Sequence, residues 1–130
     1  MIASLLFLLT AFAPADPPKD VLQFVQSTAE ALANNNPRGF VDKFDSAWDG
    51  YKQLRADVED LLARAQVGSS IEIVSDEGND QKRSLELDWL LLIEGAEQRH
   101  KIVQCRIEKQ GKKWKIVALE PADFFRASQK

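Results

Sequence analysis

Asp88-Trp89-Leu90-Leu91-Leu92-Ile93-Glu94 is a short, almost purely apolar run bounded by acids. Strand alternation extended back to Leu85 puts Leu85, Leu87, Trp89, Leu91 and Ile93 on one face. Leu90 and Leu92 then fall on the other face, where a solvated sheet carries polar residues. The run therefore needs cover on both faces, or a bulge that re-aims it.

Outward from this run the second half of the chain keeps a period of two. Ser69 to Ser75, with Ile71, Ile73 and Val74, predicts a strand, and Asp76-Glu77-Gly78-Asn79-Asp80 a turn. The run itself belongs to a strand over 84–94, followed by a turn at 95–98. Lys101 to Lys109 predicts a third strand with Val103, Cys105 and Ile107 on one face. Lys113 to Glu120 predicts a fourth, with Trp114, Ile116 and Ala118 on one face. A turn pair of Gln110 and Gly111 would set Ile107 against Trp114, Cys105 against Ile116 and Val103 against Ala118. Pro121 ends the last strand, and Phe124 and Phe125 form a tail packed over the sheet.

The first half has helical spacing. Asp16-Pro17-Pro18-Lys19 is a stiff linker, after which Asp20 is a plausible cap. Val21, Leu22, Val25, Ala29 and Leu32 then recur at three- and four-residue intervals. Asn34-Asn35-Asn36 ends this helix, and Asn36-Pro37 starts a second carrying Phe40, Val41 and Phe44 and running to about Asp45 or Ser46. Tyr51, Leu54, Val58, Leu61 and Leu62 mark a third, closed by Gly68. Arg55 and Glu59 lie four apart on its solvated side. The expected fold class is α+β: three N-terminal helices packed on a curved, mainly antiparallel four-stranded sheet.

Residues 1–15 read as a signal peptide. Ile2 to Phe12 is apolar but shorter than the ~20 residues that span a bilayer. Ala13-Pro14-Ala15 offers a small-x-small cleavage pattern, although no Lys or Arg precedes the apolar run. A buried N-terminal helix is the structural alternative. The expected organisation is a signal peptide at 1–15, a linker at 16–19 and one domain at 20–130. Localisation is then the bacterial periplasm or the secreted space, with no stable membrane anchor after cleavage.

The chain has 130 residues, 45% hydrophobic and 28% charged, which suits one ordinary core. A formal net charge of -3 supplies no general pull toward nucleic acid. Cys105 is the only cysteine and His100 the only histidine, so neither an internal disulfide nor a zinc spacing exists. No phosphate loop, nucleophile elbow or dinucleotide fingerprint is present, and no cofactor is expected.

Several segments together resemble a known family. Helices span Val21 to Ala65, the second opening on Asn36-Pro37-Arg38-Gly39-Phe40, and four strands follow. The last strand, Lys113-Trp114-Lys115-Ile116-Val117, runs into Leu119-Glu120-Pro121-Ala122-Asp123-Phe124-Phe125. Over about residues 20–125 this resembles the nuclear transport factor 2-like superfamily. The resemblance implies a cone whose open end leads to an apolar pocket, often with dimerisation through the sheet. It groups ketosteroid isomerases, scytalone dehydratase and polyketide cyclases with many non-catalytic binding domains, so the fold alone does not choose an activity.

Catalytic members use a carboxylate or a His–Asp pair in the pocket, often with a tyrosine. Asp88 is the candidate base because it adjoins the apolar run, and Tyr51 is the candidate hydroxyl. The plainer readings are a strand acid paired with a cross-strand Lys or Arg, and a helix-face residue. His100 lies between Arg99 and Lys101 beside a turn and is expected in solvent. Cys105 is expected to behave as a small buried hydrophobe. Phe40, Phe44, Trp48, Tyr51, Trp89 and Trp114 either line a ligand cavity or form a packed core. Lys109, Lys112, Lys113 and Lys115 surround a hairpin, as a solvated turn or an anion-attracting one.

The leading expectation is an exported, non-catalytic domain binding a small apolar ligand or a protein partner. The alternatives are a lyase or isomerase of the ketosteroid isomerase type, using Asp88 and Tyr51, and a structural dimerisation module. In this fold the natural cover for Leu90 and Leu92 is the sheet of a second subunit, so both are assigned to a homodimer interface.

Overall fold

The computed structural model describes residues 17–96 and 98–127; the signal-peptide reading of residues 1–15 lies outside the described residues. Helix α1 spans Lys19–Ala33, α2 Pro37–Val41 and α3 Tyr51–Arg64. Strands β1 Val67–Gly78, β2 Lys82–Ile93, β3 Arg99–Gln110 and β4 Lys113–Glu120 follow, and a 3-10 turn at Ala122–Phe125 closes the order. The four strands form one antiparallel sheet in the order β1-β2-β3-β4. This is the α+β architecture that the change of period implies.

The helical boundaries differ from expectation for local reasons. Pro18, not Asp20, occupies the cap position of α1. Asp20 sits in the first turn, where a carboxylate complements the helix dipole. Its Oδ2 accepts from Trp114 Nε1 and from Lys109 Nζ, each at 3.0 Å, and so ties α1 to the β3–β4 hairpin. Asn35 adopts the left-handed conformation that ends the helix (φ 56°), and Asn36 Oδ1 caps α2 by accepting from Gly39 N at 2.9 Å. α2 stops at Val41, earlier than the spacing of Phe44 suggested. Phe44 instead runs beside β4: Ile116 N donates to Lys43 O, and Asp45 N donates to Ile116 O, both at 2.8 Å. Gly68 does not close α3, which ends at Arg64; it lies inside β1 opposite Leu92.

Two bulges set which residues face the core. Val74 is the extra residue in β1, between the pairs Ile73–Leu87 and Ser75–Glu86. It leaves the apolar side, and Asp76 takes the next inward place. Val117 is the extra residue in β4, between Ile107–Ile116 and Arg106–Ala118. The β3–β4 turn pair is Gly111-Lys112, so Lys109 pairs with Trp114 and Cys105 with Leu119. The expected pairings of Ile107 with Trp114 and Val103 with Ala118 do not occur. A bulge reverses parity beyond it, so Leu119 is buried and Ala118 is not.

On the inner face of the sheet Trp89 is wholly buried among rings. Its centroid lies 6.2 Å from Phe40, 5.9 Å from Phe124 and 5.1 Å from Phe125, each edge to face. Its Nε1 donates to Ser69 Oγ at 3.0 Å, which satisfies the one polar atom of the indole. Arg99 holds the tail in place, donating from Nη1 to Phe124 O (2.7 Å) and from Nη2 to Ala127 O (3.2 Å). Phe124 and Phe125 thus pack where the sequence placed them, over the sheet.

Truncating Trp89 to Ala should cost ~3–5 kcal/mol, the range for a large aromatic removed from a core. A chemical-denaturation midpoint that barely moves would show the ring cluster to be dispensable. The Asp20 carboxyl is held below the usual carboxylate range by its hydrogen bonds to Lys109 and then Trp114. A depressed folded value means that this contribution is complete above about pH 4, the unfolded Asp range, and is lost as pH falls through the folded value. Asp20→Asn should flatten the acid limb of a melting-temperature profile while leaving its neutral-to-alkaline limb the same shape.

Candidate functional site

The six aromatics divide. Phe40, Phe44 and Trp89 pack ring against ring, with Phe40 5.3 Å from Phe44 and Phe44 stacked at 5.8 Å on Trp48. Trp48 and Tyr51 are half-buried against the same core. Trp114 is nearly buried, but its edge lines a surface cleft between α1, α2 and the β3–β4 hairpin. Phe40 and Trp89 expose no surface to a ligand. With Phe124 and Phe125 they form one buried ring cluster against the inner face of the sheet.

Asp88 and Tyr51 are not brought together. Asp88 alternates with Trp89 along β2, so its carboxylate projects from the outer face, while Tyr51 belongs to the helical side. Asp88 Oδ1 bonds to Nε2 of His100, one strand across and two residue pairs along. Its partner is thus a histidine rather than the Lys or Arg of the plainer reading. The pair is not enclosed: 60% of the His100 side chain and 31% of the Asp88 side chain are open to solvent. A His–Asp pair exists, as in catalytic members of the resembled family, but it stands on the outside of the sheet.

The outer face around this pair is the unusual surface. Leu92 is 49% and Ile102 50% exposed, and Leu90 between them is half-buried. These positions lie on adjoining strands: Leu90 pairs with His100, Asp88 with Ile102, and Gly68 with Leu92. Toward the far end the face turns polar. Glu86 accepts from Gln104 Nε2 at 2.9 Å and from Ser75 Oγ at 3.0 Å. These bonds hold its carboxyl below the usual range, so it stays charged beside the apolar strip. An open cleft of about 500 Å³, lined by Gln66, Gly68, Leu92 and Glu94 among others, continues the strip to the sheet end. Ile102 was missed in the sequence although Lys101-Ile102-Val103 signals it, because adjacent apolar residues in a strand must face opposite ways.

Two further acids were not foreseen. Asp76 is buried on the inner face against Arg83, whose Nε donates to Oδ1 at 2.8 Å. Asp57 on α3 accepts from Gln53 Nε2 at 2.9 Å and lies 3.6 Å from Arg126 Nε. Each acid has a cation nearby, but Oδ2 of each is buried and accepts no hydrogen bond among the described residues. No group of three or more His, Cys, Asp or Glu among the described residues is placed to hold a metal ion. No helix among the described residues is long and apolar enough to cross a membrane.

Cys105 lies inward on β3 and is buried, and burial pushes its thiol up to about 12. The thiolate that a nucleophile requires is therefore withheld. At pH 8 a thiol-reactive dye should leave the native protein unlabelled and modify Cys105 only on unfolding. Labelling at the rate of a free thiol would place Cys105 at the surface.

No protein-family model matches the chain. No curated protein matches it either. Solved structures do. A Bdellovibrio bacteriovorus structure, Bd1075, superposes with a TM-score of 0.70 at 15% identity, over 78% of this chain and 40% of that one. The chain therefore spans about two fifths of that protein's length. An NTF-2-like protein of unknown function from Shewanella oneidensis MR-1 gives 0.70 at 11% identity, over 80% of this chain and 97% of that one. A domain of unknown function with a cystatin-like fold from Nostoc punctiforme PCC 73102 gives 0.64 at 16% identity, over 80% and 76%. At these identities the likeness is one of fold.

Proposed function

We propose that this small domain of nuclear transport factor 2-like fold is an exported, non-catalytic module that works through the outer face of its sheet, and that the occupant of that face is a second copy of the chain. One observation carries the reading: the inner face is filled by rings while Leu90, Leu92 and Ile102 form an apolar strip on the outer face. Single exposed apolar residues are ordinary, but neighbours on adjoining strands make a patch.

A second copy suits the strip for two reasons. Sheets stack face to face at ~10 Å with their apolar rows in contact, which supplies the missing cover for the broken alternation. The surrounding groups also carry both signs, with Glu86 and Asp88 acidic and Arg106 and Lys82 basic. A two-fold axis through the strip would let each copy's acids approach the other's bases. Dimerisation through the sheet is also what the family resemblance implies. Of the expected pocket-binding, isomerase and dimerisation roles, the filled cone favours the last. Export rests on the apolar run at residues 2–12 and the Ala13-Pro14-Ala15 pattern.

At micromolar concentration, light scattering should give twice the monomer mass. Leu92→Arg removes apolar contact worth ~1.5–3 kcal/mol per copy. Counted twice by symmetry, this should weaken dimerisation by a factor on the order of 100 or more. A monomeric wild-type chain, or a Leu92→Arg dimer of unchanged affinity, would overturn the interface.

A further inference from the structure

The basic hairpin singled out in the sequence gains a further member in three dimensions. Lys112, Lys113 and Lys115 of the β3–β4 hairpin face Lys43, which follows α2, across a cleft of about 740 Å³. Phe24 and Ser27 of α1 line its opposite wall. Nothing in the spacing of Lys43 links it to the hairpin. The link is made by the backbone, because the bonds between Lys43, Asp45 and Ile116 lay the chain after α2 alongside β4.

We propose that this cleft binds a small dianionic oxyanion, a phosphate or an organic phosphomonoester. The charge is lopsided. Four ammonium groups line the cleft with two carboxylates, Asp20 and Asp42, and Asp20 is already bonded to Lys109 and Trp114. Lys43, Lys112 and Lys113 make no ion pair within the described residues. Lys115 spends one hydrogen bond on the Asp42 carbonyl, which fixes its ammonium at the rim.

Lys43 is the key group. It is half-buried, and its Nζ sits 5.8 Å from the centre of the Phe24 ring. Burial first, and then the nearby Lys113 and Lys115, push its basicity down. Asp42 offsets part of this, and the excess of like charge that remains is relieved by an anion that bridges the lysines. A lysine ammonium acts as a compact point charge with three donors, which suits a phosphate oxygen. The cleft exceeds the needs of a bare ion and falls within the ~300–1,000 Å³ of small-molecule sites. Phe24 gives it an apolar wall for an organic body. This inference stands apart from self-association, because the cleft is on the helical side of the hairpin and not on the strip of Leu90 and Leu92.

The test is a titration of the isotopically labelled chain, followed by backbone amide shifts, with phenyl phosphate, inorganic phosphate and benzoate as probes. Phenyl phosphate should saturate shifts around Lys43, Lys113 and Lys115, and the monoanion benzoate should bind more weakly by about tenfold. Phenyl phosphate tighter than inorganic phosphate identifies a phosphomonoester as ligand, and equal affinities identify the free ion. Lys43→Gln and the exposed Lys113→Gln should each weaken binding about tenfold, with unchanged melting temperature, while Lys101→Gln on β3 should have no effect. Lys113→Gln keeps the test open if Lys43→Gln disturbs the fold. No saturable shift at about 10 mM of either phosphate probe, a range that marks negligible affinity, would overturn the site. Shifts that survive both lysine substitutions would do the same.

Discussion

The burial of Trp89 organises this domain. A fully enclosed indole must place a large apolar body and satisfy one N–H. The body is met by Phe40 from the short second helix and by Phe124 and Phe125 from the C-terminal turn. The N–H is met by Ser69, on the neighbouring strand. Three distant parts of the chain are thus committed to one side chain. The tail reaches it because Arg99 fastens the carbonyls of Phe124 and Ala127. The inner face of the sheet is thereby occupied by rings drawn from these three parts.

Much of this was legible in the residues. The switch of period near Gly68 separates helices from strands, and Asn36-Pro37 marks a helix start that the structure keeps. The broken alternation at Leu90 and Leu92 pointed to a sheet with apolar residues on both faces, and Leu92 is half-exposed on the outer one. What escaped was parity. Val74 and Val117 look like ordinary strand residues, yet each is an inserted place that exchanges inside and outside for all residues beyond it. This is why Asp76 turned inward and why Leu119, not Ala118, joined the core. Sequence spacing carries no signal for an insertion whose side chain is the same type as its neighbours.

The candidate sites were less legible than the fold, for a related reason. Strand alternation separates Asp88 from Trp89 by the thickness of the sheet, so adjacency in sequence was the wrong guide to a shared pocket. His100 found Asp88 by a diagonal across two strands, a relation that needs the register before it can be seen. Lys43 lies 70 or so residues from the hairpin it joins, and only the backbone pairing at Ile116 brings it there. Long-range electrostatic clusters of this kind are properties of topology, where helix caps and amphipathic faces are properties of local sequence.

The two bulges have a consequence for how these molecules can meet. β1 and β4 are the margins of the sheet, and each carries its extra residue there. An added strand needs an unbroken row of backbone donors and acceptors, and a bulge interrupts that row. On β4 the outward N–H and C=O of Ile116 are already taken by Lys43 and Asp45. The margins are thereby poorly suited to templating, and the sheet resists growing sideways into a fibre.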